Sequence, residues 1–307
     1  MTTNARLRAF VSLADTGSIR AAARRLVVTE SSVSAAITAL AAEVGVPLVA
    51  RDGRGVRLTP AGDRYVTYAR RILGLQDEAL AAARGEADPE HGLVRLAAVT
   101  TAGEHVLPAL LASFRARHPG VALRLEVAPR DDVWPLLAQH DADLVVAGRP
   151  PDELAGRIRA TRPNTLVVVG PSAAAADFAP GLATWLLREV GSGTRATCRA
   201  LLSALEVDPP QLTLGPTGAV IAAAEAGLGV TLVSRQAVAR QLAEGLLVEL
   251  AVPGTPLHRP WHAVSHPEAT ASTELLVAHL LDRPELGWAR RGRIRSAGRH
   301  TDRDGGA

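Results

Sequence analysis

The sequence predicts an α+β multidomain protein: a small helical head carrying a hairpin, a long linker helix, and a larger α/β body. Three observations predict it. Residues 17–51 hold two short helical patterns that flank a break. From residue 58 to residue 82 apolar side chains step three and four positions apart without interruption. Beyond residue 92 short apolar runs alternate with helical ones, the pattern of parallel sheets covered on both faces by helices.

In the head, Leu7, Phe10, Val11 and Ala14 mark an amphipathic first helix that Asp15, Thr16 and Gly17 end. Ile19, Ala22, Ala23 and Leu26 then fall at helical spacing. After Val27, Val28 and Thr29 the spacing resumes with Val33, Ile37, Leu40 and Val44. Ser18 and Thr29 stand where an N-cap hydroxyl accepts from free backbone N–H groups of the following helix. Such a pair buries one face of each helix and leaves the second free to enter a DNA major groove. After Pro47, the run from Arg51 to Arg57 sets two glycines between arginines and reads as a hairpin. Its guanidinium groups can reach phosphates or the minor groove, although an ordinary surface hairpin has the same pattern.

Charge is distributed to match. Every basic residue is arginine, and eleven arginines lie in residues 1–71 against five acidic residues, an excess of six. The whole chain carries only +3, so the remainder is acidic by three. A basic head on a mildly acidic body suits a phosphate-binding module joined to a regulatory one. Cys198 is the only cysteine, which excludes an intramolecular disulfide and a four-thiolate zinc site. The N-terminus lacks the apolar core of a signal peptide and no run is long enough to span a bilayer, so a cytoplasmic protein with no membrane partner is expected.

The pattern AA-x-x-L-x-V-T-x-x-x-V-S-x-x-I-x-x-L-x-x-x-x-G-V-P-L-x-x-R followed by RGVRLTPAG, at residues 22–62, resembles the N-terminal winged helix-turn-helix of the LysR-type transcriptional regulators. The resemblance implies a DNA-binding domain over residues 1–58. It places Glu30, Ser31, Ser32 and Ser34 near base edges, with Ala35, Ala36 and Thr38 further along, and counts the capping Thr29 among the DNA-binding residues. Family members often have Gln at the position of Glu30 and a basic residue near Ala35 or Thr38. A carboxylate here repels phosphates but can accept from a cytosine amino group. Its other role is to stabilise the first helical turn through the dipole. Phosphate affinity then falls to Arg20, Arg24, Arg51, Arg54 and Arg57.

Thr59 and Pro60 form a helix start, a cap hydroxyl followed by proline at the first position. The seam through Tyr65, Tyr68, Ile72 and Leu75 makes residues 59–84 a dimerisation helix, the alternative being a helix packed on its own chain. Two heads joined this way would meet an inverted-repeat operator. The family resemblance adds a homodimer assembling to a homotetramer. Residues 85–92, with Asp88 and Pro89, read as a hinge.

In the body, residues 94–99, 121–127 and 144–147 read as buried strands, with helices at 104–117 and 132–140. A second set follows, with strands at 165–169, 185–188, 212–214 and 230–233 and helices near 194–205, 218–226 and 235–242. The resemblance implies a two-subdomain, periplasmic-binding-protein-like effector domain. Subdomain I would take residues 93–161 plus 266–285 and subdomain II residues 162–265, with crossovers near 160–162 and 264–266. Ligands of open α/β sheets sit beyond the carboxyl ends of strands. Thr100, Thr101, Gly148, Arg149, Ser192, Gly193, Thr194, Thr217 and Gly218 stand at such ends. They suit a small, anionic effector, and helix capping is the alternative for Thr217 and Gly218. The stretch at residues 188–195 also resembles the carbon-fixation and sulfur-assimilation branch of the family.

No G-x-S-x-G elbow, Walker loop or metal-ligand spacing of histidines is present, so no cofactor, no metal and no enzymatic activity are expected. Cys198, one turn into a helix, reads as a buried hydrophobe rather than a redox sensor. Residues 286–307 read as a disordered basic tail. The competing function is a small-molecule-binding or enzymatic α/β module with an accessory or non-functional helix-turn-helix head.

Overall fold

The computed structural model describes residues 3–52, 55–175 and 178–290. The head comprises α1 (Thr3–Thr16), α2 (Ile19–Leu26), α3 (Glu30–Val44) and the hairpin β1 (Val49–Asp52) with β2 (Gly55–Leu58). Ser18 Oγ accepts from Ala21 N at 3.4 Å and Thr29 Oγ1 accepts from Ser32 N at 3.1 Å, so both caps form. Ala9, Leu13, Ala22, Ala23, Val33 and Ile37 close the core between the three helices. The turn between α2 and α3 passes through Val27 with φ 56°, an unfavourable conformation for a β-branched residue.

α4 (Pro60–Ala87) starts where Thr59 Oγ1 accepts from Gly62 N at 3.0 Å. Gly62 is obligatory, because an added Cβ would sit 2.0 Å from the Leu48 carbonyl oxygen. α4 runs three residues past the expected end of the linker, and the expected hinge at 85 begins only at Asp88, where Pro89 stops the helix from continuing. One face of α4 (Val66, Ala69) packs into the head with Phe10 and Leu40. Further along, an added Cβ on Gly74 would lie 2.1 Å from the Gln139 carbonyl oxygen, so α4 also seats closely on the body.

The body's first sheet contains β3 (Leu93–Val99), β4 (Ala122–Ala128), β5 (Leu144–Ala147), β6 (Arg157–Arg162) and β13 (Trp261–Ser265), in the order β4-β3-β5-β13-β6. Around it lie α5 (Thr100–His105), α6 (Leu107–Arg117), α7 (Arg130–Ala138) and α11 (Ala271–Leu281). Leu96, Leu107, Leu110, Phe114 and Leu276 form one core and Val133, Leu137 and Val145 the other. Each such side chain removed from water contributes on the order of 1.5–3 kcal/mol.

The second half of the body is built on β7 (Thr165–Gly170), which β10 (Thr231–Ser234), β11 (Val248–Glu249) and β12 (Leu257–His258) flank antiparallel. β8 (Trp185–Arg188) pairs in parallel with β9 (Gln211–Gly215) and joins the set through the Trp185–Val230 bridge. Leu166 and Val168 face α8 (Gly193–Ala204), while Val167 and Val169 face α9 (Thr217–Glu225), so β7 is apolar on both sides. α10 (Ala239–Ala243) follows β10 through a short 3-10 turn.

Five expectations are corrected. The sheets are mixed rather than parallel, because β13, β10, β11 and β12 run antiparallel to their neighbours. The strand expected to be buried at 121–127 is the edge strand β4, and its alternation turns Arg124 and Glu126 away from the core. The helix expected over 104–117 breaks at Val106, because Pro108 cannot donate a backbone bond to residue 104. The return crossover lies at Arg259 and Pro260 rather than at 264–266, because residues 261–265 form β13 inside the first sheet. The tail does not begin at 286. Trp288 is buried in the first core, and Thr161 and Ala289 exchange backbone hydrogen bonds of 2.8 and 2.9 Å. Residues 291–307 lie outside the described residues.

Candidate functional site

Between the two halves of the body lies a cleft lined by residues from six strand ends and helix starts. Thr100 and Thr101 open α5, and Gly148 follows β5. Ser192, Gly193 and Thr194 bring the N-terminus of α8 to the same place. Ser192 Oγ caps α8 through Arg195 N at 3.4 Å, so the positive end of that helix dipole faces the cleft. Six of the nine expected effector residues therefore converge.

The other three do not line this cleft. Arg149 is largely exposed and pairs with Asp152 at 3.1 Å. Gly218, the second residue of α9, is exposed and is not part of the lining. Thr217 is buried behind the wall, where its hydroxyl accepts from Arg188 Nη1 at 2.5 Å and lies 3.3 Å from Thr101 Oγ1.

The lining also contains three guanidinium groups that the sequence did not single out. Arg188, 7% exposed, ends β8 and forks through Nε and Nη2 onto Glu189 at 2.8 and 2.6 Å. With Nη1 on Thr217, one N–H on each terminal nitrogen is left over. Burial acts to raise the Glu189 pKa, but its hydrogen bonds to Arg188 and to the backbone outweigh this and hold it below the usual carboxylate range. Arg259 donates from Nη1 to Thr197 Oγ1 at 2.7 Å and forms no ion pair among the described residues. Arg130 lies over Gly193 and reaches Asp131 only at 3.7 Å. The described lining residues include three guanidiniums and five hydroxyls (Thr100, Thr101, Ser192, Thr194, Thr197) and no aspartate or glutamate, the Glu189 and Asp131 partners of Arg188 and Arg130 standing outside the lining. Trp261, also in the lining, has an indole N–H that is buried without a partner among the described residues.

The floor of the cleft is the pair of crossovers itself. Arg259 N donates to the Asn164 carbonyl at 2.9 Å and Asn164 Nδ2 donates to the Arg259 carbonyl at 2.9 Å. Ser234 Oγ holds Asn164 Oδ1 at 2.7 Å. The cleft is small, with a volume of about 50 Å³. Rotation of the halves about those crossovers would change its width.

On the head, Arg20, Arg24, Arg51 and Arg57 are exposed and form no ion pair among the described residues. Arg54 lies outside the described residues. Register places Arg51 opposite Val56 and Arg57 opposite Ala50, so the two hairpin arginines belong to opposite faces. Glu30, Ser31 and Thr38 are exposed on α3, and Ser32 and Ser34 are half-buried. The Thr29 hydroxyl is engaged with Ser31 Oγ at 2.9 Å and Ser32 Oγ at 2.8 Å as well as capping α3, so its role is local.

On α4, Tyr68, Ile72 and Leu75 form an exposed stripe continued by Ala79. Tyr65 does not join it. Its ring packs edge-on against Phe10 at 5.8 Å within the same chain, a contact that residue spacing does not reveal. Cys198 is buried and its thiol is pushed up to about 12 by desolvation, which leaves it protonated and unreactive.

Comparison with known proteins agrees with this division. Residues 5–63 match the family described as bacterial regulatory helix-turn-helix protein, lysR family, and residues 87–285 match the LysR substrate binding domain. The chain is 32% identical to the HTH-type transcriptional regulator CfxR of Cupriavidus necator over 286 residues, covering 90% of each. It is 33% identical to the RuBisCO operon transcriptional regulator of Allochromatium vinosum over 269 residues, covering 84% of this chain and 88% of that one. The Synechocystis PCC6803 CcmR regulatory domain in complex with 2-PG superposes with a TM-score of 0.54 at 26% identity, covering 61% of this chain and 96% of that one. These relatives do not favour the enzymatic alternative and lie on the carbon-fixation side of the branch. A capped helix-turn-helix with a basic wing, a linker helix and a cleft between two α/β halves thus coincide with both family matches: the chain belongs to the LysR family of DNA-binding, effector-controlled transcriptional regulators.

Proposed function

We propose that the effector of this regulator is a small anion held between the two halves of the body. The observation that carries this is a cleft lined by three guanidiniums and five hydroxyls with no carboxylate among the described lining residues. Ionised donors of this kind favour a carboxylate or phosphate over a neutral ligand. Arg188 and Arg259 would grip it, the α8 N-terminus would complement its charge, and the Trp261 N–H would gain an acceptor. The 2-PG held by the CcmR domain supports the same class of ligand. Because Arg259 and Asn164 form both the floor and the crossovers, ligand binding would bias the angle between the halves.

The head would meet DNA through α3, with Glu30, Ser31, Ser34 and Thr38 toward the bases and Arg20, Arg24, Arg51, Arg54 and Arg57 toward phosphates. The stripe of Tyr68, Ile72 and Leu75 would pair two copies of α4, making a homodimer that assembles further to a tetramer. The target genes would be of the class named for the Allochromatium relative. We read the chain as a cytoplasmic regulator that performs no chemical step.

Calorimetric titration with phosphorylated and carboxylated two- and three-carbon metabolites tests the cleft. Saturable binding of an anion that Arg259→Ala weakens is expected. Binding of neutral compounds alone, or anion binding indifferent to Arg259→Ala, would refute the reading.

A further inference from the structure

Outside the cleft, three side chains from distant parts of the chain meet where α4 seats on the body. Glu78 comes from α4, His140 from the turn after α7, and His266 from the end of β13. Each offers one ligand atom, and all three atoms lie within 4.8 Å of one another. His140 Nδ1 is hydrogen-bonded to Glu78 Oε2, and the two imidazoles stack with centroids 4.0 Å apart.

The His266 ring completes the case. It is 8% exposed and hydrogen-bonds the backbone of Leu137, yet its Nε2 is buried with no partner among the described residues. A ring that donates Nδ1–H to a carbonyl carries its lone pair on Nε2. That is the tautomer and the support a metal-ligating histidine ordinarily has. A buried lone pair with nothing to accept from is an expensive feature to leave unmet.

We propose that Glu78, His140 and His266 form a site for a divalent first-row transition ion that staples the linker helix to the body. Two imidazoles and one carboxylate are a donor set suited to zinc and its neighbours. Parallel stacked rings cannot both hold one ion in their planes, so one ring must turn about its Cβ–Cγ bond. His140, with a fifth of its side chain exposed, has the freedom to do so. Both histidines border an open cavity of about 620 Å³, which gives an ion and its remaining waters a path from solvent. An ion here would link α4 to both α7 and β13, tying the element that carries the heads to the half of the body that β13 crosses. Residue spacing hides the site, since positions 78, 140 and 266 share no motif.

The test is a titration of the metal-stripped full-length chain with Zn²⁺, followed by Co²⁺ and its visible absorption. Wild type is compared with Glu78→Gln, His266→Gln, and His91→Gln as a control at an exposed histidine paired with Asp88. We expect one ion per chain, visible absorption from Co²⁺ that Zn²⁺ displaces, and a loss of affinity of about tenfold or more in Glu78→Gln and His266→Gln but not in His91→Gln. Should His266→Gln fail to fold by circular dichroism, Glu78→Gln and His140→Gln decide the matter alone. No saturable binding, or saturable binding that these substitutions leave unchanged, would overturn the proposal.

Discussion

Arginine serves the head and the cleft in opposite physical settings. Arg20, Arg24 and Arg57 stand exposed and without ion pairs among the described residues, on long side chains that water surrounds. Arg188 is buried and held at three nitrogens by Glu189 and Thr217, and Arg259 is fixed by Thr197. Mobile, solvated charges suit a polyanion, where affinity comes from releasing counterions and no single geometry is demanded. Pre-bonded charges suit a small ligand, because the ordering cost is met during folding and the donors keep a fixed direction. One residue type therefore serves two recognition tasks, and what separates them is fixed hydrogen bonding at Arg188 and Arg259, reinforced by burial at Arg188 alone.

The difference can be broken most forcefully at Arg188. Replacing it by Met removes two free donors from the cleft and leaves Glu189 without its partner. Affinity for the cleft anion should fall roughly 100-fold by calorimetry, the scale of about 2–3 kcal/mol for charge-assisted bonds, while operator affinity without ligand stays the same. Next in size is Gly74→Ala. Its added methyl meets the Gln139 carbonyl, so α4 must shift where it joins head to body. A loss of about 1–3 kcal/mol in denaturant unfolding is expected, with weakened coupling between anion and DNA. A stability equal to wild type would show that α4 does not seat there.

Much of the head was legible because its signals are local. Ser18, Thr29 and the apolar spacing of Val33, Ile37 and Leu40 act within one or two turns, and the folded head uses them as the spacing suggests. The cleft was legible only at its backbone ends. Thr100, Ser192 and Thr194 announce themselves as small residues after strands, whereas Arg130, Arg188 and Arg259 are indistinguishable in sequence from the other arginines. Only the crossover at Arg259 brings that side chain to Thr197, 62 positions away. Tyr65 shows the complementary limit: it fits the heptad spacing, yet its half-buried ring packs edge-on against Phe10 of its own chain.

A smaller effect is expected in the turn of the head. Val27 is 90% exposed and adopts a left-handed conformation, so it contributes strain with little packing in return. Relief of about 1–2 kcal/mol is partly offset by the chain entropy of glycine, and Val27→Gly should raise stability by up to about 1 kcal/mol. A lowered melting temperature would count against the strain. The least effect should come from thiol reagents. With its pKa at about 12, Cys198 should resist alkylation at pH 7 to 8 in the folded chain and react only on unfolding. Rapid labelling of the native protein would mean that the thiol is accessible.

The separation of the two arginine sets is tested most directly by an anisotropy titration of the duplex upstream of the protein's own gene. It is run over a salt series, with and without the cleft anion, for wild type, the double variant Arg20→Ala with Arg24→Ala, and Arg188→Met. The head variant should lower affinity and flatten the dependence of log K on log salt by about 0.9 for each phosphate it no longer neutralises, while still responding to the anion. Arg188→Met should keep the wild-type slope and lose the response. A head variant with the wild-type slope, or an Arg188→Met variant whose slope falls with it, would contradict the division of labour between the two sets.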